Sequence, residues 1–117
     1  MRYVDAFVIP IPKRNMKQYL SMAKVGKKTW MKHGALEYFE CVGEDLKNSW
    51  GKSFSQLARL KRGETVVVAF IVFKSRAHRD RVNAKVMKEF SASGVEMGMP
   101  FDMKRAAYGG FEVLVGS

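Results

Sequence analysis

Four short segments of the chain are rich in apolar, β-branched and aromatic residues, either alternating with polar ones or in a continuous run, and each predicts a β-strand. The first strand covers residues 2–11, where prolines close it because proline cannot donate to a sheet ladder. The others cover residues 35–42, 65–73 and 106–115. The third is the clearest, because it consists almost entirely of β-branched and aromatic residues.

Two further segments carry apolar residues every three or four positions, which predicts amphipathic helices. The first is predicted to begin at an Asn15 cap and to end at Gly34, and the second to begin after Ser75. The buried stripe of the first helix is predicted to contain Met16, Tyr19, Leu20, Ala23, Gly26 and Trp30. That of the second contains Val82, Val86, Met87 and Phe90, and the side chains predicted to face solvent are Arg76, Arg79, Lys85 and Lys88.

The predicted order β-α-β-β-α-β is typical of the α+β ferredoxin-like fold, in one domain that spans residues 1–117. Right-handed crossovers would give a four-stranded antiparallel sheet with two helices on one face. Residues 43–63 form a long polar segment for a compact domain, with a helical turn expected at residues 55–60. Residues 91–104 are predicted to form a second loop.

The third strand is apolar on both of its faces. One face carries Val66, Val68, Phe70 and Val72, and the other carries Val67, Ala69, Ile71 and Phe73. Two helices can cover only one of these faces, and a bare apolar sheet face in solution is an aggregation hazard. We therefore predict a homodimer of the dimeric α/β-barrel type, with Phe70, Ile71 and Phe73 as interface candidates. The 43–63 segment is long enough to reach over the partner.

The composition is that of a folded globular domain, with 47% hydrophobic and 27% charged residues. The single cysteine, Cys41, excludes an intrachain disulfide and fits a reducing compartment. The first residues lack the features of a signal peptide. The longest uncharged apolar run, residues 65–73, is far shorter than the roughly 20 residues of a membrane helix. A cytoplasmic location without membrane contact is the expectation.

The net charge of +10 raises the question of a polyanionic partner. RNA-recognition domains share the predicted strand order, but valines at residues 66–68 replace the basic residue, the glycine and the stacking ring of their third strand. Sequence-specific RNA binding is therefore not expected. A solvated basic surface is the favoured interpretation, and weak, sequence-independent contact with phosphates is the alternative, with Arg59, Lys61 and Arg62 as candidates.

Few residues can carry metal or nucleophilic chemistry, since the chain has two histidines and one cysteine. A structural zinc site needs four ligands, so no metal site and no cofactor are predicted. Cys41 in a strand is interpreted as a small hydrophobic residue. His33 at a helix end is interpreted as a partner of the helix dipole, with a proton-shuttle role as the alternative. His78 is interpreted as local structure as readily as a site.

Five polar residues interrupt otherwise apolar strands: Asp5, Tyr38, Glu40, Tyr108 and Glu112. If they share one face, their carboxylates would raise one another's pKa, as in many active sites. The favoured alternative places them around the dimer interface, paired with Lys or Arg. The candidates for catalysis are Trp30, His33, Tyr38 and Glu40.

Sequence blocks spread over nearly the whole chain carry a family resemblance. They are WMKHGALEY at residues 30–38, EC at 40–41, SRAHRD at 75–80, VNAKVM at 82–87, MPFD at 99–102 and YGGFE at 108–112. In these blocks the chain resembles the YbaA-like proteins, a small bacterial family of unknown function. The resemblance implies a ferredoxin-like fold of the dimeric α/β-barrel group, which includes small monooxygenases, haem-degrading enzymes and lactone isomerases. It implies no activity.

Three hypotheses about function follow. The first is a homodimer whose helix–sheet cleft binds a small, mostly apolar molecule, with or without catalysis. The second is a basic domain that associates weakly with RNA or DNA, and the third is a structural or interaction protein without a ligand. A deep cleft between helices and sheet would favour the first, and a continuous basic surface would favour the second.

Overall fold

A computed structural model describes residues 1–93 and 99–117. Its strands are β1 (Tyr3–Pro12), β2 (Glu37–Val42), β3 (Glu64–Phe73) and β4 (Ala107–Glu112). Its helices are α1 (Met16–Lys32), the short α2 (Phe54–Leu57) and α3 (Arg76–Ser93), and 3-10 turns lie at Lys13–Asn15 and Met103–Arg105. All predicted elements are present, and α2 is the helical turn expected in the 43–63 segment. The predicted 91–104 loop begins inside α3, and residues 94–98 of it lie outside the described residues.

The four strands form one antiparallel sheet in the order β2-β3-β1-β4, so a mixed α/β fold around such a sheet is confirmed. β1 lies between β3 and β4, but β4 pairs with β1 only as far as Val8. Pro10 therefore lies where β1 has no neighbour on that side, and its missing N–H leaves no gap in the β1–β4 ladder. This explains why a strand can continue through two prolines to Pro12.

Both long helices pack on the same face of the sheet. Side chains of α1 bury one core cluster, which contains Ile9, Ile11, Tyr19, Ala23, Val67 and Ala69. Side chains of α3 bury the other, which contains Ala35, Ile71, Phe73, Val82 and Val86. Ile71 and Phe73 therefore lie beneath the helices, and of the three interface candidates only Phe70 points to the opposite face.

Three predictions about helix faces are wrong. Leu20 and Met87 are 53% and 51% exposed, because the centres of the buried stripes are taken by Tyr19 and Val86. Arg79 was predicted to face solvent, yet its side chain is only 13% exposed. It lies three residues before Val82 and therefore on the buried stripe of α3.

Asn15 is the N-cap residue of α1, as predicted, but it does not make the side-chain hydrogen bond expected of a cap. The Asn15 side chain caps no backbone N–H group, and its Nδ2 instead donates to the carbonyl oxygen of Pro100 at 2.8 Å. Asn15 thus ties the start of α1 to the segment that precedes β4. The Ser75 prediction is confirmed, because Ser75 Oγ accepts from the backbone N–H of His78 at 3.1 Å. Gly34, with φ +112°, ends α1 in the left-handed conformation.

The opposite face of the sheet is left uncovered by both long helices, and we call it the open face. Its members on the described strands include Val4, Ala6, Val8, Phe39, Cys41, Val68, Phe70, Val72 and Phe111. The molecule is correspondingly flat, with extents of 39 × 38 × 20 Å. Within the described residues, no helix has the length and apolar character needed to cross a membrane.

The 43–63 segment is tied to one end of the open face by Arg105. The Arg105 guanidinium contacts both carboxylate oxygens of Glu64, at 2.7 and 2.9 Å, and also donates to the carbonyl oxygen of Arg59 at 2.8 Å. Pro10 and Val66 lie on this same face of the sheet and are nevertheless almost fully buried. The segment around α2 and Arg105 therefore closes this end of the face. Val72 near the other end is also buried, and the open-face residues between them are half-buried or exposed.

The same ion pair makes stability depend on pH. Hydrogen bonds from Arg105 hold the pKa of Glu64 at about 2, below its ordinary value of 4.5. A carboxylate with a lowered pKa stabilises the fold above its unfolded-state pKa, and this contribution disappears as the pH falls toward its folded-state value. The stabilisation should therefore be complete at pH 7 and vanish between about pH 4.5 and 2.

We expect Glu64→Gln to lower the free energy of unfolding by about 1–2 kcal/mol at pH 7, because water screens a partly exposed pair. Urea denaturation at one protein concentration, at pH 7 and pH 2.5, measures the change. The difference from the unmodified protein should shrink at the lower pH. Glu44→Gln, at an exposed carboxylate of the same segment, is the matched control and should change stability by less than about 0.5 kcal/mol. An equal loss at both pH values would contradict the assignment.

Candidate functional site

The five polar residues of the strands all lie on the helix-facing side of the sheet. Asp5 is opposite both Ile71 and Gly110, and Tyr38 is also opposite Ile71. Strand alternation places Glu40 on this side, and the pairing of β4 with β1 places Tyr108 and Glu112 there. They share a face without forming one acidic surface, because four of them separate into two clusters and Glu112 lines a surface cavity.

The first group, the tyrosine–carboxylate cluster, consists of Tyr19, Tyr38 and Glu40. Tyr38 Oη donates to one carboxylate oxygen of Glu40 at 2.7 Å, and Tyr19 Oη donates to the other. Tyr19 comes from α1 and is buried, whereas Tyr38 and Glu40 come from the edge strand β2 and are half-buried. The cluster thus joins the first helix to the edge of the sheet.

Gly26 makes room for this arrangement. A Cβ atom at Gly26 would lie 2.6 Å from Tyr38 Oη, so a side chain there would displace the hydroxyl from Glu40. The surroundings are aromatic: the Trp30 ring lies 5.9 Å from the Tyr38 ring, and the Phe101 ring lies 5.8 Å from that of Tyr19. The polar atoms of the cluster are therefore flanked by aromatic side chains.

Burial, followed by the bond to Glu40 and its charge, raises the pKa of Tyr19. Burial and the Glu40 charge likewise raise the pKa of Tyr38. Both hydroxyls therefore stay protonated at physiological pH and act as donors. A carboxylate has about four acceptor positions, and the two tyrosines use two of them. Glu40 can accept further hydrogen bonds from a third donor.

The second group, the Asp5 cluster, links α3 to the centre of the sheet. Asp5 is 1% exposed and accepts from Arg79 Nη1 at 2.8 Å and from Asn83 Nδ2 at 3.2 Å. Arg79 Nη1 also donates to Tyr108 Oη at 2.9 Å, and the guanidinium carbon lies 4.9 Å from the centre of the Tyr3 ring. Asp5 thus has a cation and an amide as partners in an otherwise apolar interior.

Asn83 connects the Asp5 cluster to Trp30, because Trp30 Nε1 donates to Asn83 Oδ1 at 2.9 Å. Within the described residues, no buried side-chain nitrogen or oxygen lacks a hydrogen-bond partner. Removing one member of a buried ion pair leaves a charge without compensation, which strongly destabilises a fold. We therefore interpret the Asp5 cluster as the attachment of α3 to β1.

Neither histidine is hydrogen-bonded to a member of the two clusters. His33 Nε2 is 2.8 Å from Glu89 Oε1 on α3, so His33 does not join Tyr38 and Glu40. His78 Nδ1 accepts from the backbone N–H of Lys74 at 2.9 Å. Burial, and then the charge of Lys74, lowers the pKa of His78, which favours its neutral form. Of the four catalytic candidates, the fold brings together Trp30, Tyr38 and Glu40.

Cavities that open to solvent are present among the described residues, and two of them are relevant to the predicted site. One, of about 500 Å³, lies at the helix-facing edge of the sheet and is lined by Met1, Tyr3, Arg76, Gly110 and Glu112. The other, of about 410 Å³, lies in the long segment between Leu46 and Gln56. Neither includes Tyr38 or Glu40. Cys41 is exposed on the open face. Among the described residues, no three His, Cys, Asp or Glu side chains converge in a way that could hold a metal ion.

Sequence reasoning missed three participants: Tyr19, Arg79 and Asn83. A tyrosine on a buried helical stripe signals a buried hydrogen-bond acceptor, because its hydroxyl needs a partner. An arginine three residues before the buried Val82 signals a buried acidic partner in the same way. Asn83 carried no comparable signal, because its neighbours are known only once α3 is placed on the sheet.

Comparisons with known proteins agree on one family. Residues 2–103 match the family described as "Protein of unknown function (DUF1428)". The "Uncharacterized protein YbaA" of Escherichia coli strain K12 is 33% identical over 115 residues, which cover 98% of each chain, and that of Shigella flexneri gives the same values. A solved structure, "De novo designed protein Foldit4", has a TM-score of 0.47 and 9% identity over 97% of this chain and 99% of that one, a likeness that says nothing about function. The chain therefore belongs to the DUF1428 family of proteins of unknown function, as the YbaA-like resemblance implied.

Proposed function

We propose that the protein works as a homodimer of the dimeric α/β-barrel type, built from two ferredoxin-like protomers whose open faces stack. The observation that carries this proposal is the uncovered apolar face of the sheet. Isolated exposed hydrophobic residues are normal in soluble proteins, but a contiguous apolar patch is typical of an interaction site. A second copy of the same face would cover it with closed two-fold symmetry.

Surface area and shape support the proposal. The chain exposes 8434 Å², whereas a compact monomer of 13.3 kDa is expected to expose about 6,500 Å². Its radius of gyration is 15.1 Å, against about 13.4 Å expected for 117 residues. A stable protein interface removes roughly 800 Å² from each partner. The excess exposed area is therefore large enough for such an interface.

The chemistry of the open face suits contact between two copies. The rings of Phe39 and Phe70 lie 4.9 Å apart, and Phe111 is 58% exposed on the other side of β1. Small and β-branched residues fill the space between these rings, as expected of a surface that packs against another sheet. Aromatic anchors surrounded by such residues are typical of the energetic centre of an interface.

For the dimer, the favoured role is the binding of a small, mostly apolar molecule at the tyrosine–carboxylate cluster. Glu40 would accept a hydrogen bond from a hydroxyl or amine group of the ligand, because it has acceptor positions that the tyrosines leave unused. Tyr19 and Tyr38 would hold the carboxylate in place, and Trp30 would supply an apolar wall. His33, bound to Glu89, has no part in this site. A dimer with no ligand is the alternative that the experiments below test.

We expect Phe70→Asp to convert the dimer into monomer or aggregate, because an unpaired carboxylate would be buried in an apolar contact. Multi-angle light scattering at micromolar concentration measures the mass. Met87→Asp is the control, since Met87 is exposed on α3, away from the open face, and the substitution changes the net charge equally. The control should retain the dimer.

The Phe73→Asp variant shows how the effect of a core substitution differs from that of an interface substitution. Phe73 is fully buried beneath α3, so this substitution should unfold the protomer rather than dissociate folded protomers. A monomeric unmodified protein at micromolar concentration, or a Phe70→Asp variant with unchanged dimer mass, would contradict the proposed interface.

We expect the protein purified directly from its host cells to retain a small molecule, which native mass spectrometry would detect as added mass. Glu40→Gln should abolish this added mass, because the amide is a weaker acceptor than the carboxylate and presents a donor of its own. The dimer mass, read from the same spectrum, should not change.

The matched control is Glu44→Gln, the same substitution at an exposed carboxylate just after β2. It should keep the added mass. If the unmodified dimer carries nothing, the ligand role is wrong while the dimer stands. If both variants lose the molecule equally, the site lies elsewhere.

A further inference from the structure

The positive charge of this chain is concentrated in its two long helices. α1 and α3 together contain ten Lys and Arg residues and two Asp and Glu residues, a net +8 of the chain's +10. The sheet, loops and termini are therefore almost neutral in sum. α1 contains no acidic residue along its 17 positions.

Nine of the ten basic side chains of these helices are exposed, and the exception is Arg79, which is paired with Asp5. Those of α1 are exposed at Lys17, Lys24, Lys27, Lys28 and Lys32, and those of α3 at Arg76, Arg81, Lys85 and Lys88. Lysines four and seven positions apart on α1 form one stripe along the helix. We call this exposed set the basic helix layer.

The acidic residues of α3 leave most of this charge uncompensated. Asp80 forms an ion pair with Arg79, and Arg79 also forms an ion pair with Asp5. Glu89 contacts Lys32 at 2.9 Å and thereby joins the two helices into one continuous surface. The rest of the basic helix layer has no acidic residue on α1 or α3 to neutralise it, so its potential adds up over one side of the molecule.

We propose that the basic helix layer binds the phosphate backbone of nucleic acids without reading their bases. A surface of uniformly positive charge gains affinity for nucleic acid because binding releases the counterions that are associated with the phosphates. The aromatic residues of the two helices, Tyr19, Trp30 and Phe90, are buried or half-buried, so none of them forms an exposed platform for stacking bases. Contacts to phosphates position a nucleic acid but carry no direct sequence information.

This surface is independent of the proposed dimer interface, because the helices lie on the opposite side of the sheet from the open face. In a dimer joined through the open faces, the two basic helix layers would point outward in opposite directions. A monomer would present one such layer and bind by the same contacts. The result of the following experiment therefore does not depend on the oligomeric state.

Fluorescence anisotropy titrations test the proposal with two probes, a mixed-sequence DNA duplex and a mixed-sequence single-stranded RNA, each at 50 and 200 mM salt. For about four phosphate contacts, we expect the affinity for the duplex to fall on the order of 100-fold between the two salt concentrations. A panel of short RNAs of defined sequence should bind with equal affinity, because no base is read.

Two double variants locate the surface. Lys24→Glu with Lys28→Glu reverses two charges of the basic helix layer, and Lys47→Glu with Lys52→Glu reverses two exposed charges of the 43–63 segment. Both change the net charge of the chain equally. We expect the first pair to weaken binding at least 10-fold and to reduce the salt dependence, and the second pair to weaken it less than 3-fold. Thermal unfolding and light scattering check that both variants keep the fold and mass of the unmodified protein.

Several outcomes would overturn the proposal. They are the absence of binding to either probe at 50 mM salt, an equal loss of affinity in the two double variants, and a clear preference for one RNA sequence. A fourth is binding to phosphatidylserine vesicles with no binding to nucleic acid, which would assign the surface to a membrane instead.

Discussion

The arrangement of this protein depends on one constraint: two helices can cover only one face of a four-stranded sheet. The apolar residues of β1 and β3 point to both sides, so the burial that holds α1 and α3 in place uses one side of the hydrophobic surface and leaves the other side without a covering helix. The flat shape and the large exposed area follow from this division. The Arg105–Glu64 pair closes only one end of the bare face by holding the long segment against it.

The covered face has to accommodate polar groups as well as apolar ones. Asp5 and Glu40 both lie beneath helices, and each is satisfied by side chains that the helices bring to it. The difference between the two clusters is exposure. Asp5 is closed off by Arg79 and Asn83, which suits attachment of a helix, whereas Glu40 lies half-buried at an edge strand, where another molecule can approach. Of the two carboxylates, the accessible one is therefore at the edge of the sheet rather than at its centre.

The two sides of the molecule differ in character, since one is an apolar sheet and the other is a strongly basic helical layer. An apolar surface associates by excluding water, and a basic one associates by exchanging counterions with polyanions. In the proposed dimer, the contact between copies would therefore leave the basic side free.

Periodicity in the sequence was enough to predict the strands, the helices and the two-sided β3, because alternation along a strand is a local property of the chain. The same reasoning could place Asp5, Tyr38, Glu40, Tyr108 and Glu112 in apolar strands but could not pair them. It also predicted wrongly that Arg79 is exposed and that Leu20 and Met87 are buried. Which residues of a helical stripe face the sheet depends on how the helix packs against it. Only the tertiary structure decided that Glu40 meets two tyrosines while Asp5 meets Arg79. Such pairings depend on strand register and helix placement between residues far apart in the chain, and these long-range contacts leave no periodic trace in the sequence.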